Sequence, residues 1–278
     1  MRKSISLPEN RITQGTIFCG VKSPYPELEH CHGICITARC DTARDFKAPS
    51  LTFLPVVPMH CWLWSEALPK AIDDQKKAVA GALRSHLNQK FGTAAVLDAF
   101  GIEKAFESDD EKDKSIPKQR DFYKDALAAE GLNAYEWKDV PDSISKRVAA
   151  EGALLLAGKI QDFQFIDDVE APYGGDEPKP GDGFVVCFRE IRAISRMGAL
   201  EMLKGIDAEK LAKLSEVDFS MQHLYASDEV FIYPTGELLS PFIEQMMQNF
   251  SLVFGRVGTK DIPRHYTEAI QKLVKGEK

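Results

Sequence analysis

Chemically active side chains are concentrated in residues 30–41, whose sequence is HCHGICITARCD. This stretch holds three of the six cysteines and two of the six histidines of the 278-residue chain. Imidazole nitrogens and thiolates are ligands suited to zinc, and a thiolate beside a histidine can act as a nucleophile. The stretch ends in Arg39, Cys40 and Asp41, where a guanidinium group could bind phosphate or carboxylate. No complete catalytic or cofactor motif occurs in the chain, so these residues are the first candidates for a site.

The spacing of these donors does not favour a metal site. There is no C-x2-C pair, and in a strand the donors would alternate between two faces. We therefore expect free, structural cysteines, with no metal and no cofactor; the donors considered are His30, Cys31, His32, Cys35, Cys40, His60 and Cys61. Catalysis by Cys40 is also not favoured, because Asp41 opposes the thiolate that Arg39 would stabilise and no pattern places a histidine beside it.

Alternation along a strand through residues 32–38 predicts two different faces. One face should pack in the core and carries Ile34, Ile36 and Ala38. The other should be polar and carries Cys35, Thr37 and Arg39, the residue that follows the strand. A hydroxyl and a guanidinium side by side could jointly hold an anion. We therefore predict Thr37, Arg39 and Asp41 as binding residues at the end of this strand.

Composition indicates a globular chain of ordinary charge. Hydrophobic residues make up 44%, and 35 basic against 42 acidic residues give a formal net charge of −7, which opposes nucleic-acid binding through a broad basic face. No apolar run approaches the ~18 to 20 residues of a membrane span, and no signal peptide is evident. The six cysteines are irregularly spaced, which favours free thiols and a cytoplasmic protein.

The first 68 residues and the following 89 differ in pattern. Short runs rich in branched and aromatic residues predict strands at 15–20, 32–38 and 51–57, and Pro55 and Pro58 mark the third as an edge strand or one that ends early. From residue 69 the apolar spacing becomes helical, with helices predicted at 69–92, 93–100, 117–130 and 142–157. The charged segment 107–115 is predicted to be a solvated loop.

Strand patterns return after residue 158. Strands are predicted at 159–169 and 184–191, a Pro/Gly-rich loop at 171–183, helices at 197–203 and 208–214, and a hairpin of strands 218–225 and 229–233. An amphipathic helix is predicted at 240–255 and a last helix at 263–274. The fold class is therefore α+β: a small barrel or curled sheet (1–68 and 158–278), with a helical insertion at 69–157, closed by the 240–255 helix.

Three segments together resemble the MazF/PemK-like group of proteins. They are RITQGTIFCG, GICITARCD and LTFLPVVP, within about the first 65 residues. The resemblance implies an SH3-like barrel, and the group includes endoribonuclease toxins. Thr37 falls near the group's strand-end Ser/Thr, but the Arg-Pro pair that the group carries before its second strand is replaced here by His32 and Gly33. The matching arginine is then absent unless Arg39 or Arg11 substitutes for it.

The Cys-Asp pair at 40–41 and the segment SPFIEQMMQNFSLVFGRVG also resemble uncharacterised bacterial proteins of mobile elements and defence islands. This supports two hypotheses. The first is a non-enzymatic accessory or regulatory component of a defence or toxin–antitoxin type system, which binds a protein or nucleic-acid partner encoded nearby through its barrel face. The alternative is a MazF-like endoribonuclease that cleaves single-stranded RNA, with Thr37 and Arg39 at the site and His32 as acid or base.

Overall fold

The structure is a computed structural model that describes residues 4–6, 11–107, 115–167 and 183–255. The strands in these residues are β1 Ser4–Ser6, β2 Thr16–Lys22, β3 His30–Cys35, β4 Ser50–Pro58, β5 Phe163–Ile166, β6 Phe184–Cys187, β7 Arg192–Ser195 and β8 Pro234–Leu238. They form one antiparallel sheet in the order β1-β8-β2-β3-β4-β6-β5, with β7 also paired to β4. The sheet is open and curled into a half-barrel, so the predicted α+β class with a curled sheet is confirmed.

The helices in the described residues are α1 Arg39–Phe46, α2 Met59–Trp62, α3 Leu68–Phe91, α4 Ala95–Glu107, α5 Ser115–Glu130, α6 Asp142–Leu156, α7 Arg196–Met202, α8 Ala208–Val217 and α9 Phe242–Gly255. A π-helical turn, Leu63–Ala67, joins α2 to α3. Helices α3, α5, α6 and α9 occupy the stretches predicted as helical. Gly92 ends α3 in the left-handed conformation, with a φ of 72°, as its position predicts.

The predicted strand at 32–38 is wrong in its second half. At Thr37 a side chain takes the place of a backbone acceptor, because the N–H of Thr52 donates to Thr37 Oγ1 at 2.7 Å. The carbonyl of Ala38 then accepts from Asp41 and Thr42, which closes the first turn of α1. Arg39, Cys40 and Asp41 therefore lie in a helix, and strand alternation does not place Arg39 beside Thr37.

The prediction that the third strand is an edge strand is also wrong. β4 is central, with β3 on one side and both β7 and β6 on the other. Pro55 lies between the part of β4 that pairs with β7 and the part that pairs with β6. A proline without an N–H fits there because no ladder partner among the described strands faces it on that side.

Two further strand predictions need correction. The segment 184–191 is not one strand but β6 followed by a turn into β7, and the strand predicted at 159–169 is only β5. The hairpin at 218–233 does not form. Asp218 instead caps a short 3-10 helix, Phe219–His223, by accepting from the N–H of Ser220 at 3.0 Å. The chain does turn between the two predicted strands, where Ser227 and Val230 exchange backbone hydrogen bonds.

Both faces of the sheet are covered, which decides the surroundings of β3. One face packs against residues of α2, α3, α5, α6 and α7 and buries Cys31 and Cys35. The other packs against α9 and buries Ile34 and Ile36. The predicted apolar face is thus buried at Ile34 and Ile36, but the prediction is wrong for Ala38, which is exposed just before α1. The predicted polar face of β3 is buried too, since Cys35 has no exposed surface.

The predicted loop 107–115, the Pro/Gly-rich loop 171–183 and the last helix 263–274 lie wholly or mostly outside the described residues. The helices between Met59 and Leu156 separate β4 from β5 in sequence, and the boundaries proposed at 68 and 157 stay predictions. No helix in the described ranges combines the length and apolar character needed to cross a membrane.

Candidate functional site

The hydroxyl of Thr37 is part of the fold. It accepts from the N–H of Thr52 at 2.7 Å and donates to the carbonyl of Thr52 at 3.4 Å. Its side chain is buried. A ligand could use this hydroxyl only by breaking the link between the end of β3 and the start of β4, so Thr37 has a structural part in this geometry.

Arg39 and Asp41 are exposed in the first turn of α1. The guanidinium of Arg39 is 3.5 Å from a carboxylate oxygen of Glu244 in α9, and about half of its side-chain surface is open to solvent. Such an exposed pair contributes little to stability, on the order of 0 to 1 kcal/mol. The guanidinium of Arg39 therefore remains accessible to a partner. Its contact with Glu244 also links α1 to α9, the helix that closes the half-barrel.

Arg11, the second arginine that could substitute at the barrel site, also has a carboxylate partner. Its guanidinium donates to Glu237 of β8 at 2.9 Å, and only 11% of the Glu237 side chain is exposed. Nearby, Gly15 donates its N–H to the carbonyl of Cys35, which brings this part of the chain to the end of β3. Arg11 and Arg39 are thus each neutralised by a glutamate from the late part of the chain.

His32 lies in the interior of β3, opposite Val56 of β4, with its ring 5.5 Å from the ring of Phe184. The residue keeps some exposed surface, but its Nδ1 is enclosed and has no hydrogen-bond partner among the described residues. Burial, and secondarily the nearby His30, lowers the pKa of His32 to about 4. The imidazole is therefore neutral at pH 7 and a poor general acid there.

The other donors of the 30–41 stretch do not converge. Cys31 and Cys35 lie on the helix-covered face of β3, whereas His32 lies on the face covered by α9. Within the described ranges no three His, Cys, Asp or Glu side chains are arranged to hold a metal ion. All six cysteines are free thiols.

From the sequence, Cys61 and His60 are considered only as metal donors, and Tyr135 is not placed beside them. The Sγ of Cys61 is 3.2 Å from His60 Nε2 and accepts from the hydroxyl of Tyr135 at 3.3 Å. A cysteine beside a histidine has the geometry of an activated nucleophile. Burial, however, raises the pKa of the Cys61 thiol, and the residue has no exposed surface. The arrangement holds a neutral thiol in a packed interior.

A groove opens next to the curled sheet. It lies between β5, α9 and the end of α6, and its volume is about 370 Å³. We call it the β5–α9 groove; examples of its lining are Phe163, Phe165, Leu238, Phe242 and Leu252. None of the described residues that line it is charged, although charged residues make up 28% of the chain. The groove is therefore an uncharged surface of mixed apolar and polar side chains on an acidic protein.

Two leucines at the edge of this groove face solvent. Leu156, at the end of α6, is 55% exposed, and Leu252, in the last turns of α9, is 60% exposed. Asn249 of α9 donates to the side chain of Gln164 in β5 at 2.9 Å, which fixes the two sides of the groove relative to each other. The apolar face of the predicted 240–255 helix is therefore buried only in part: Ile243 and Met246 are buried, whereas Phe254 is 44% exposed.

Sequence reasoning missed this groove because its sides come from segments about 75 residues apart. One signal was present: apolar residues occupy a wide face of the 240–255 helix, although such a face favours core packing over a partner-binding groove. Comparison with protein-family models, with curated proteins and with solved structures found no match to this chain.

Proposed function

We propose that this chain is a non-enzymatic accessory or regulatory component of a bacterial defence or toxin–antitoxin type system. It acts in the cytoplasm and binds a protein partner, encoded nearby, at the face where α9 closes the curled sheet. The observation that carries the proposal is the β5–α9 groove, whose described lining is uncharged and whose leucines at the edge stay exposed. Apolar patches rimmed by polar groups are typical of protein interaction sites.

One of the polar residues predicted from the sequence, Arg39, contacts the helix that forms one side of this groove. Glu244, the partner of Arg39, precedes Gln245, which lines the groove. Interfaces commonly combine an apolar centre with a polar rim, and Arg is enriched in them. We therefore assign the groove as the centre of the interface and Arg39, with Asp41 of the same helix, as part of its rim. A nucleic-acid partner is less well supported, because the described lining of the groove offers no cation to phosphate.

The endoribonuclease alternative receives less support from the same residues. The Thr37 hydroxyl is bonded to Thr52, and His32 is neutral with an enclosed Nδ1. The two arginines considered for the site, Arg11 and Arg39, face Glu237 and Glu244. The free thiols agree with a reducing compartment, which supports the cytoplasmic part of the proposal.

Isolation of the native complex with groove variants tests the proposal. Leu252→Lys and Leu156→Lys place a charge at the groove, and both positions are exposed, so the melting temperature should change little. Val217→Lys is the matched control, because Val217 is 76% exposed at the end of another helix, α8. The tagged chain should retain a stoichiometric partner when unmodified or carrying Val217→Lys, and lose it with either groove variant.

The opposite pattern would count against the groove. A partner held equally by all four proteins would place the interface elsewhere, and a chain that recovers no partner would contradict the binding function. Cleavage of single-stranded RNA by the purified chain, abolished by Arg39→Ala, would favour the nuclease instead.

A further inference from the structure

A second concave surface surrounds the π-helical turn between α2 and α3. It lies between this turn, the start of α3, the end of α5 and the segment before β3, and its volume is about 310 Å³. We call it the π-turn cleft, and define it by Glu27, Trp64, Ser65, Leu68, Asp73 and Glu130. Among the described residues it shares no lining with the β5–α9 groove, so binding at the cleft is independent of the proposed function.

The sequence accounts for the unusual turn. Pro69 has no N–H, so the normal helical bond to the carbonyl of Ser65 cannot form. The helix widens instead, and Leu68 donates its N–H to the carbonyl of Leu63, five residues earlier. Single π-helical turns of this kind are frequent at functional sites. Here the widened turn contributes Trp64 and Ser65 to the cleft.

The aromatic wall of the cleft is held in place by its neighbours. The ring of Trp64 lies 5.0 Å from that of Trp137 at an interplanar angle of 90°, and 5.8 Å from that of Tyr135. Trp64 is only 7% exposed and has apolar neighbours in the cleft, among them Leu68. The aromatic wall is therefore a fixed apolar surface, and the part of it that stays open can pack against an aliphatic chain.

The rim of the cleft is acidic. Among the described residues three carboxylates, Glu27, Asp73 and Glu130, line it against a single cation, Lys76, which is 2.8 Å from Glu130. Glu27 accepts from the hydroxyl of Ser65 at 3.1 Å and forms no ion pair with any residue in the described part of the chain. An uncompensated carboxylate above an aromatic wall favours a cation with an apolar stem.

The field of Glu27 also reaches the side chains behind Trp64. Burial is the main cause that raises the pKa of Cys61 and of Tyr135, and the negative charge of Glu27 raises both further. The negative charge of Glu27 therefore acts on the aromatic side of the cleft as well as at its open rim. A cation that packs on the aromatic wall would be attracted by this field as well as by the open rim.

We propose that the π-turn cleft receives a lysine or arginine side chain of a protein partner. The aliphatic stem packs on Trp64 and Leu68, and the charged end lies at Glu27. Charge complementarity selects this occupant over an acidic or a neutral side chain, because Glu130 is paired with Lys76 and Asp73 with Lys77, which leaves Glu27 as the lining carboxylate without an ion pair among the described residues. A side chain anchored in this way would set the partner's orientation as well as its affinity.

Binding of short peptides tests the proposal with the full-length protein. The probes are acetyl-Gly-Lys-Gly-amide and the same peptide with norleucine, which keeps the stem and lacks the ammonium group. The Trp64 indole signal in NMR spectra should shift saturably with the lysine peptide, with a Kd on the order of millimolar. The norleucine peptide should bind about three- to thirty-fold more weakly.

Matched variants distinguish a specific contribution of Glu27 from the effect of removing any negative charge nearby. Glu27→Gln should weaken the lysine peptide about two- to five-fold, while Glu29→Gln, a neighbour with the same charge change, should leave it unaltered. Glu27 is exposed, so the melting temperature should be unchanged. Equal binding of both peptides, an equal effect of Glu29→Gln, or no saturable shift would each overturn the proposal. Tighter binding of free cadaverine than of the lysine peptide would overturn its assignment to a protein partner.

Discussion

Replacing His32 should change how the stability of the protein depends on pH. The imidazole lies in the middle of β3 with its Nδ1 enclosed and unpaired within the described chain, and its pKa is lowered to about 4 from an ordinary value of 6.5. Folding therefore favours the neutral ring. The unfolded chain takes up the proton more readily, so stability is fully present above about pH 6.5 and is lost as the pH falls toward 4.

The size of this loss is set by the two pKa values. The folded and unfolded pKa values differ by about 2.5. Each unit of pKa difference corresponds to about 1.36 kcal/mol, so the largest possible loss of stability is about 3.4 kcal/mol. The residue keeps some exposed surface, so water reduces the difference, and about 2 to 3 kcal/mol is expected. At neutral pH, His32→Phe should stabilise the protein by about 1 kcal/mol, because an unsatisfied buried nitrogen is removed.

Urea unfolding of the native protein, His32→Phe and His32→Gln at pH 7.5 and pH 4.5 measures both effects. Carboxylates titrate alike in all three, so the difference between proteins isolates position 32. Both variants should lose about 2 kcal/mol less than the native protein on acidification. Only His32→Phe should gain stability at pH 7.5, since glutamine keeps polar atoms in the site. The same acid sensitivity in all three proteins would show that His32 titrates normally and refute the reasoning.

Two further substitutions probe the packing that surrounds the site. Gly33→Ala would place a methyl group 2.5 Å from the ring of the buried Phe18, so urea unfolding should show a loss of about 1 to 3 kcal/mol. The control Gly81→Ala should not destabilise the protein, because a methyl group there meets nothing within 4 Å in the described chain. Gln75→Leu should lower the melting temperature by the equivalent of about 2 to 3 kcal/mol, because Arg147 donates to Gln75 Oε1 at 2.6 Å and would lose its acceptor. An unchanged melting temperature would mean that Arg147 finds water instead.

Helices could be located from the sequence better than strands. Gly92 marks the end of α3, and the apolar periodicity marks α6 and α9, because these signals are local. The strand errors have non-local causes. Pro55 looks like an edge signal until the sheet places it between the segments paired with β7 and β6, and β1 pairs with residues more than 200 positions later.

The candidate site was predictable only in part for the same reason. Arg39 and Asp41 were singled out and are exposed, but no pattern in the sequence indicated that Thr37 would bond to Thr52 or that Arg39 would face Glu244. The β5–α9 groove joins segments that no spacing rule connects. Local patterns predict which side chains a face carries, whereas the sheet order decides whether that face meets solvent.

The packing around β3 leaves little room for an Arg-Pro pair at positions 32 and 33, where the endoribonuclease hypothesis would require one. Positions 32 and 33 fall inside a strand that is covered on both faces. A proline at 33 would put ring atoms where even a Cβ meets Phe18 at 2.5 Å, and an arginine at 32 would bring a guanidinium to a place where the imidazole nitrogen already lacks a partner among the described residues. Of the two arginines considered for the site, Arg11 faces Glu237, whose side chain is only 11% exposed, so phosphate would have to displace that carboxylate. Binding in the β5–α9 groove leaves the Arg11–Glu237 pair intact and can use the exposed Arg39 at its rim, which is why we propose binding rather than RNA cleavage.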